Sequence, residues 1–172
     1  MTLGMLTTHQ WGHLPALANM FNPLTGVWQN YQKRISGELQ LKGVKARVVV
    51  QRDEHNIPHI FAKNDEDLYF AQGFVHAQDR LFQMDIQTRS GAGSISELVG
   101  IKALSLDKYC VKMGSREAAK NAFEAMNSDP QIKIAIESYV RGVNAFISQL
   151  TEETLPVEYK LLQTWPAKFK PI

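Results

Sequence analysis

The chain has 172 residues, 44% of them hydrophobic, with 19 basic against 17 acidic side chains and a formal net charge of +2. That balance excludes wholesale disorder, collagen-like repeats and a polybasic nucleic-acid binder, whose cations must be concentrated to hold phosphates. The lone Cys110 excludes an internal disulfide and any multi-cysteine zinc or iron–sulfur site, and no run approaches the roughly eighteen apolar residues that span a bilayer.

From Met1 to Gln32 there is no Asp, Glu, Lys or Arg, although Trp11, Phe21, Trp28 and Tyr31 fall there. The segment lacks the basic start of a signal peptide and is interrupted by Pro15 and Pro23, so any export signal is expected to precede Met1. Residues 1–36 read as an extended arm, either packed on a body through its aromatic residues or trailing as a flexible tail. Residues 37–172 read as one partial domain.

From about Gly37 the pattern is of short strands. Leu39 and Leu41 alternate with polar residues, Lys42-Gly43 reads as a turn, and Val44, Ala46, Val48 and Val50 recur every second residue. Asp53-Glu54-His55-Asn56 reads as a turn leading into a returning strand over 59–62. Pro58 at its start suits an edge or first position.

Beyond Lys63 the pattern is helical. Asn64 or Asp65 is the expected N-cap of a helix running to about Arg89. At 100° per residue, Phe70, Ala71, Phe74, Val75, Ala77, Leu81, Phe82 and Met84 fill one broad arc. Gln72, His76, Asp79, Gln83 and Gln87 fill the other, with Arg80 beside them. So many amides and so few charges suggest a face that meets protein groups rather than water. Within the apolar arc, Gln78, Asp85 and Arg89 fall within about 40° of one another if the helix is unbroken. Asp85 and Arg89 have the favourable i, i+4 order, and a buried charge is tolerated only when paired.

Short helices are expected over 94–99, 104–113 and 115–126, after punctuation by Gly91 and Gly93. Asp129-Pro130 is a strong helix start, and the helix it opens carries Ile132, Ile136, Tyr139, Val143, Phe146 and Leu150 on one stripe. After Pro156 one short amphipathic piece precedes Trp165-Pro166. The fold class is therefore α+β, predominantly helical, with short antiparallel strands followed by helices.

Catalytic signatures are sparse. There is no G-x-S-x-G elbow, and one cysteine in a helical pattern supports no Cys–His pairing. Ser105-Leu106-Asp107-Lys108 matches S-x-x-K, the acylating motif of penicillin-binding enzymes, but no K-T-G follows and Ser105 is more simply a helix-start residue. A β-lactam probe that failed to label Ser105 would dispose of that enzyme class. His55 and His59 are kept off a shared helical face by Pro58. His76 and Asp79 lack a third metal ligand, and Cys110 reads as a small apolar group.

Several segments together resemble the amino-terminal α-chain region of the penicillin acylase (penicillin amidase) family of N-terminal-nucleophile (Ntn) hydrolases. They are Arg52-Asp53 with Ile57-Pro58-His59-Ile60 and Ala62, then the run from Gly73 through Ala77-Gln78-Asp79-Arg80-Leu81-Phe82-Gln83-Met84 to Asp85. Glu97 with Gly100, Asp107, Gly142-Val143-Asn144-Ala145 and Leu155-Pro156-Val157-Glu158-Tyr159 follow in the family order, and Asn22 to Asn30 resemble the lead-in of one bacterial branch. Two departures stand out. Asn56 occupies a usual glycine position but is the residue best able to keep a positive φ. Ser94 replaces a common basic residue, which puts a local salt bridge in doubt.

The resemblance implies a fragment of an αββα sandwich from an amidohydrolase made as a precursor and cut into α and β chains. The family's nucleophile is the first residue of the β chain, so the catalytic, substrate-binding and metal sets expected here are all empty. Calcium and substrate-gate positions also lie downstream of Ile172. No cofactor is therefore expected in this chain, and calcium would belong to the complete enzyme. Arg52, Asp53, His59, Gln78, Asp79, Arg80, Asp85, Arg89 and Glu97 are structural candidates. The implied partners are the rest of the α chain, the β chain and a small-molecule amide, with no nucleic acid, in an extracytoplasmic, periplasmic setting. The rival class is a stand-alone helical scaffold derived from the family without its chemistry.

Overall fold

A computed structural model describes residues 40–171. The expected arm at 1–36, its boundary and the strand position at Leu39 lie outside them. By contacts within the chain, residues 150–166 belong to one compact unit and residues 40–149 with 167–171 to another.

In the larger unit, β1 (Val49–Arg52) and β2 (Pro58–Phe61) form an antiparallel hairpin in which Val49 faces Phe61 and Arg52 faces Pro58. The connecting turn is closed by the Asn56 N–H donating to the Asp53 carbonyl at 2.9 Å, with Asn56 at φ 62°. Asparagine tolerates that left-handed conformation, so the turn survives without glycine.

The strand expected across 44–48 does not form. The N–H groups of Lys45 and Ala46, which a ladder would have used, donate instead to the two oxygens of the Asp67 carboxylate at 2.8 and 2.9 Å. The backbone bends at Lys45 and Ala46, and a side-chain acceptor takes the donors that a neighbouring strand would have needed.

Helix α1 (Asp65–Ala92) is capped by Asn64, whose side chain accepts from the Asp67 N–H at 2.8 Å, and is closed by Gly93 in the left-handed conformation. It outruns the expected Arg89 end by three residues and is interrupted at Arg80 (φ −141°, ψ 25°), where no proline or glycine marks the break. Phe70, Ala71, Phe74, Val75, Ala77 and Leu81 of the expected apolar arc are buried, whereas Phe82 and Met84, past the break, are half-buried.

Then come α2 (Ser96–Val99), a 3-10 turn at Ile101–Ala103, α3 (Leu104–Lys112), α4 (Ser115–Met126) and α5 (Pro130–Ile147). The Asp129 carboxylate caps α5 by accepting from the Gln131 N–H at 2.8 Å, ahead of Pro130. The core is the crossing of α1 and α5. Val143 is fully buried, and Phe74 meets Phe146 edge-on with ring centroids 5.5 Å apart. Two glycines set the approach: a Cβ on Gly73 would overlap the Tyr139 carbonyl, and one on Gly142 would overlap the Phe70 carbonyl. Each helix thus presents its bare backbone to the other's carbonyl, and no larger residue fits at either position. The stripe frays at both ends: Ile132 is exposed, and the helix stops at Ile147, before Leu150. After α5 the Asn144 amide makes two hydrogen bonds with the Phe169 backbone, donating to its carbonyl at 2.9 Å and accepting from its N–H at 2.8 Å.

The smaller unit contains α6 (Val157–Leu162), with Leu155 and Tyr159 buried. Among the described residues no helix is long and apolar enough to cross a membrane.

Candidate functional site

The polar residues singled out in the sequence gather mainly in two places, each joining elements of the larger unit. The first is built on Arg52 at the end of β1. Its guanidinium grips the Asp79 carboxylate with two parallel bonds of 3.0 Å and donates to Gln78 Oε1 and the Asn56 carbonyl, both at 3.1 Å. The Arg52 side chain is only 10% exposed. A planar fork in that setting fixes direction as well as distance, so it locks the hairpin onto the first half of α1. The neighbouring Asp53 shapes the turn. One carboxylate oxygen accepts from the His55 and Ile57 N–H groups at 2.9 Å, and the other lies 3.1 Å from His59 Nε2. The Ile57 N–H, then His59, hold its carboxyl below the ordinary 3.8.

The second place lies beyond the break in α1. Arg89 Nε donates to Asp85 at 2.8 Å and its Nη1 reaches Glu97 at 3.1 Å, joining α1 to α2. Asp85 and Arg89 side chains are 9% and 18% exposed, so this pair works in a largely desolvated setting. Gln78, which helical spacing grouped with Asp85 and Arg89, is bonded to Arg52 instead, seven residues or about 10 Å along the helix from Asp85. Arg80 itself is exposed and donates to Gln83. Glu97 is taken by Arg89, so it does not depend on the basic residue that Ser94 replaces.

Two further and separate joints, which sequence reasoning missed in this role, are built on the carboxylates of Asp67 and Asp107. Each is buried, and each accepts two consecutive backbone N–H groups: Lys45 and Ala46 for Asp67, Ile95 and Ser96 for Asp107, at 2.8–2.9 Å. Burial opposes ionisation of both, but the donated hydrogen bonds outweigh it, from Lys45, Asn64 and Ala46 for Asp67 and from Ser96 and Ile95 for Asp107. Both carboxyls are held below 3.8. The signal was available for Asp67, which lies eighteen residues, or five turns, before Asp85 on the same apolar azimuth.

The arrangement offers little chemistry of its own. His76 Nδ1 lies 3.0 Å from the Tyr139 hydroxyl, a hydroxyl–imidazole contact between α1 and α5. Burial pushes the Tyr139 phenol above its ordinary 10.0, which opposes the ionisation a nucleophile needs. The bond is therefore a tie between helices. On the expected amide-rich face, Asp79 meets Arg52 and His76 meets Tyr139, but His76, Arg80, Gln83 and Gln87 are all exposed, so most of that face meets water. Ser105 and Lys108 of the S-x-x-K match are both exposed, and Asp107 between them is committed to the start of α2. Cys110 is a half-buried free thiol. Among the described residues no three His, Cys, Asp or Glu side chains converge as a metal cluster would.

The sequence model of the family described as penicillin amidase matches residues 47–172. The penicillin acylase 2 proenzyme of Pseudomonas sp. strain SE83 is 41% identical over 137 residues, which are 80% of this chain and 17% of that protein. Penicillin G acylase of Escherichia coli is 30% identical over 129 residues, 73% of this chain and 15% of its own length. An acyl-homoserine lactone acylase of Pseudomonas aeruginosa is 32% identical over 136 residues, with coverage of 79% and 16%. The chain thus spans about a sixth of the length of these curated relatives. The solved thermostable penicillin G acylase from Alcaligenes faecalis superposes with a TM-score of 0.66 at 28% identity, covering 73% of this chain and 66% of that one. The family match, the 41% identity and the shared fold agree on the same stretch of sequence: the chain belongs to the penicillin amidase family.

Proposed function

We propose that this chain is the amino-terminal α-chain segment of a precursor amidohydrolase, and that the nucleophile acts from a part of the gene product beyond residue 172. The substrate class is a linear amide, either the acyl side chain of a β-lactam or an N-acyl-homoserine lactone, as the names of the relatives suggest. One observation carries the reading. The chain aligns with only a sixth of proteins that act as acylases, while the polar groups that could do chemistry are spent on joining elements. The same stretch fills two-thirds of a separate polypeptide in the solved acylase, the proportion expected of a short first chain cut from a long precursor.

In that reading the hairpin, α1 and α5 form part of a rigid shell. The nucleophile is the residue exposed at the amino terminus of the second chain, with its own amine as base, and backbone donors stabilise the tetrahedral oxyanion. This segment supplies no cofactor ligand, calcium belongs to the complete enzyme, and the enzyme works outside the cytoplasm of a bacterium. The test is to read the coding sequence beyond codon 172 and to assay both products. Several hundred further codons with a Gly-Ser-like junction, hydrolysis by the complete protein and none by the 172 residues are expected. A stop codon at that point would make the chain a non-catalytic scaffold, and hydrolysis by the 172 residues alone would place the chemistry inside it.

A further inference from the structure

From α2 to α4 the chain builds helices without a core. No residue of α2, the 3-10 turn or α4 is buried, and α3 buries only Asp107. Yet they expose large apolar side chains, among them Val111 at 65%. Leu106, Tyr109 and Met113 follow one another at i, i+3 and i+7, within about 60° on α3, and are 43%, 61% and 64% exposed. On α4, Phe123 and Met126 share an apolar arc of about 160° with Ala118, Ala119, Ala122 and Ala125. Exposed apolar side chains grouped along neighbouring helices in this way mark a contact surface.

What surrounds it narrows the occupant. Lys102, Lys108, Lys112, Arg116 and Lys120 are all exposed, and none makes an ion pair among the described residues. Exposed acids on the same stretch are Glu97, already held by Arg89, with Glu117 and Glu124. Lys112 and Arg116 flank the two apolar arcs, about 90–100° from their centres, and an apolar surface bordered by cations fits a protein face whose rim carries carboxylates. An anionic bilayer would also satisfy the charges, but interfacial helices bury bulky Trp, Phe and Leu, whereas four alanines on the α4 face offer little apolar area to a membrane. Small residues instead let another backbone approach closely. Homologues carrying this stretch are about five times as long as the chain, so most of the corresponding polypeptide is available to cover it.

We infer that the α3–α4 face, centred on Leu106, Tyr109, Met113, Phe123 and Met126, is the docking surface for the polypeptide that follows residue 172 in the same precursor, through a carboxylate-rimmed apolar patch. This rests on the precursor reading given above and names the surface it uses. The test places the photo-crosslinking residue p-benzoylphenylalanine at Tyr109, whose side chain is exposed, in the complete protein. The expected product joins Tyr109 to a peptide from beyond residue 172, with a yield independent of protein dilution. A cross-link to residues 1–172, to a second copy, to added phosphatidylglycerol vesicles, or none at all, overturns the inference. A charge test runs beside it: Lys112→Glu with Arg116→Glu is expected to lower recovery of the assembled enzyme at least tenfold at low salt, and unchanged recovery counts against the carboxylate rim. An active enzyme lacking the cross-link removes the surface and leaves the acylase reading intact. An inactive complete protein showing it does the reverse.

Discussion

The crossing of α1 with α5 and the stretch from α2 to α4 use similar residues and end in opposite states. In the crossing, Phe70, Phe74, Leu81 and Val143 are buried and two carbonyls lie against bare glycine backbone. In the stretch, Leu106, Tyr109 and Met113 point outward, although α4 is the more sharply two-faced of the helices being compared. Amphipathic spacing therefore reports that a helix has a face to cover, not that the cover lies in the same chain. What distinguishes the crossing is complementary backbone shape, whereas the stretch is braced by polar contacts: Asp107 ties α3 to the start of α2, and Glu97 ties α2 to Arg89 of α1.

The comparison is tested most severely at Gly142. Gly142→Ala places a methyl group on the Phe70 carbonyl, which is backbone on a packed helix and has nowhere to go. A loss of about 3–5 kcal/mol, or failure to fold, is expected from overpacking at this point. A urea midpoint within error of the parent would show that the helices can part without penalty, and the crossing would lose its status as the core. Next in size is Asp85→Ala. It strands Arg89 in a largely desolvated position, and the Glu97 contact, itself exposed, compensates little. The expected loss is about 3 kcal/mol; one below about 1 kcal/mol would place the pair in water.

Asp67→Asn comes third. It replaces a carboxylate that accepts two backbone N–H groups and the Asn64 amide, and a loss of about 2 kcal/mol is expected at neutral pH. The pH dependence has a definite sign. The folded carboxyl is held below 3.8, so the unfolded chain binds the proton more readily in the acid range. The contribution of Asp67 is complete above the unfolded value and is lost as pH falls through the folded one, with the decline beginning near pH 5. Asp67→Asn should flatten that acid limb in urea midpoints measured from pH 7 to 3. An unchanged limb would assign the acid sensitivity to Asp53, Glu66 and Asp107, whose carboxyls are also lowered.

The parts that sequence made legible were local ones. The Asn64 and Asp129 caps, the turn at Asn56 and the apolar arc from Phe70 to Leu81 each depend on neighbours within a few residues. The Asp85–Arg89 pair was readable for the same reason, being a single helical turn. Asp67 escaped because its partners are 21 and 22 residues away, in a segment whose alternation suggested a strand. Gly73 and Gly142 were visible as residues but not as a contact, since only the position of the opposite carbonyl explains them. The Arg80 break has no signal in the residue types around it. Of the site, helical spacing supplied the Asp85–Arg89 pair but grouped Gln78 with it, and the family resemblance supplied Arg52, Asp79 and Glu97 without their connections, because an ion pair across elements is fixed by the fold that it helps to hold.

The smallest expected effect is the most informative about the unburied stretch. Tyr109→Ala and Phe74→Ala remove aromatic rings from helices of the same unit, one 61% exposed and the other 6%. Loss of Phe74 should cost about 3–5 kcal/mol through lost burial and the cavity left beside Phe146. Loss of Tyr109 should stay within about 0.5 kcal/mol for this chain, with any residue of the effect in the stabilising direction because alanine is the better helix former. If urea midpoints show the two substitutions to be equally damaging, then residues of this chain already cover α3, and the contrast between a closed crossing and an open face fails. If Tyr109→Ala is silent here and destabilising in the complete protein, the ring acquires its burial only from polypeptide that this chain does not contain.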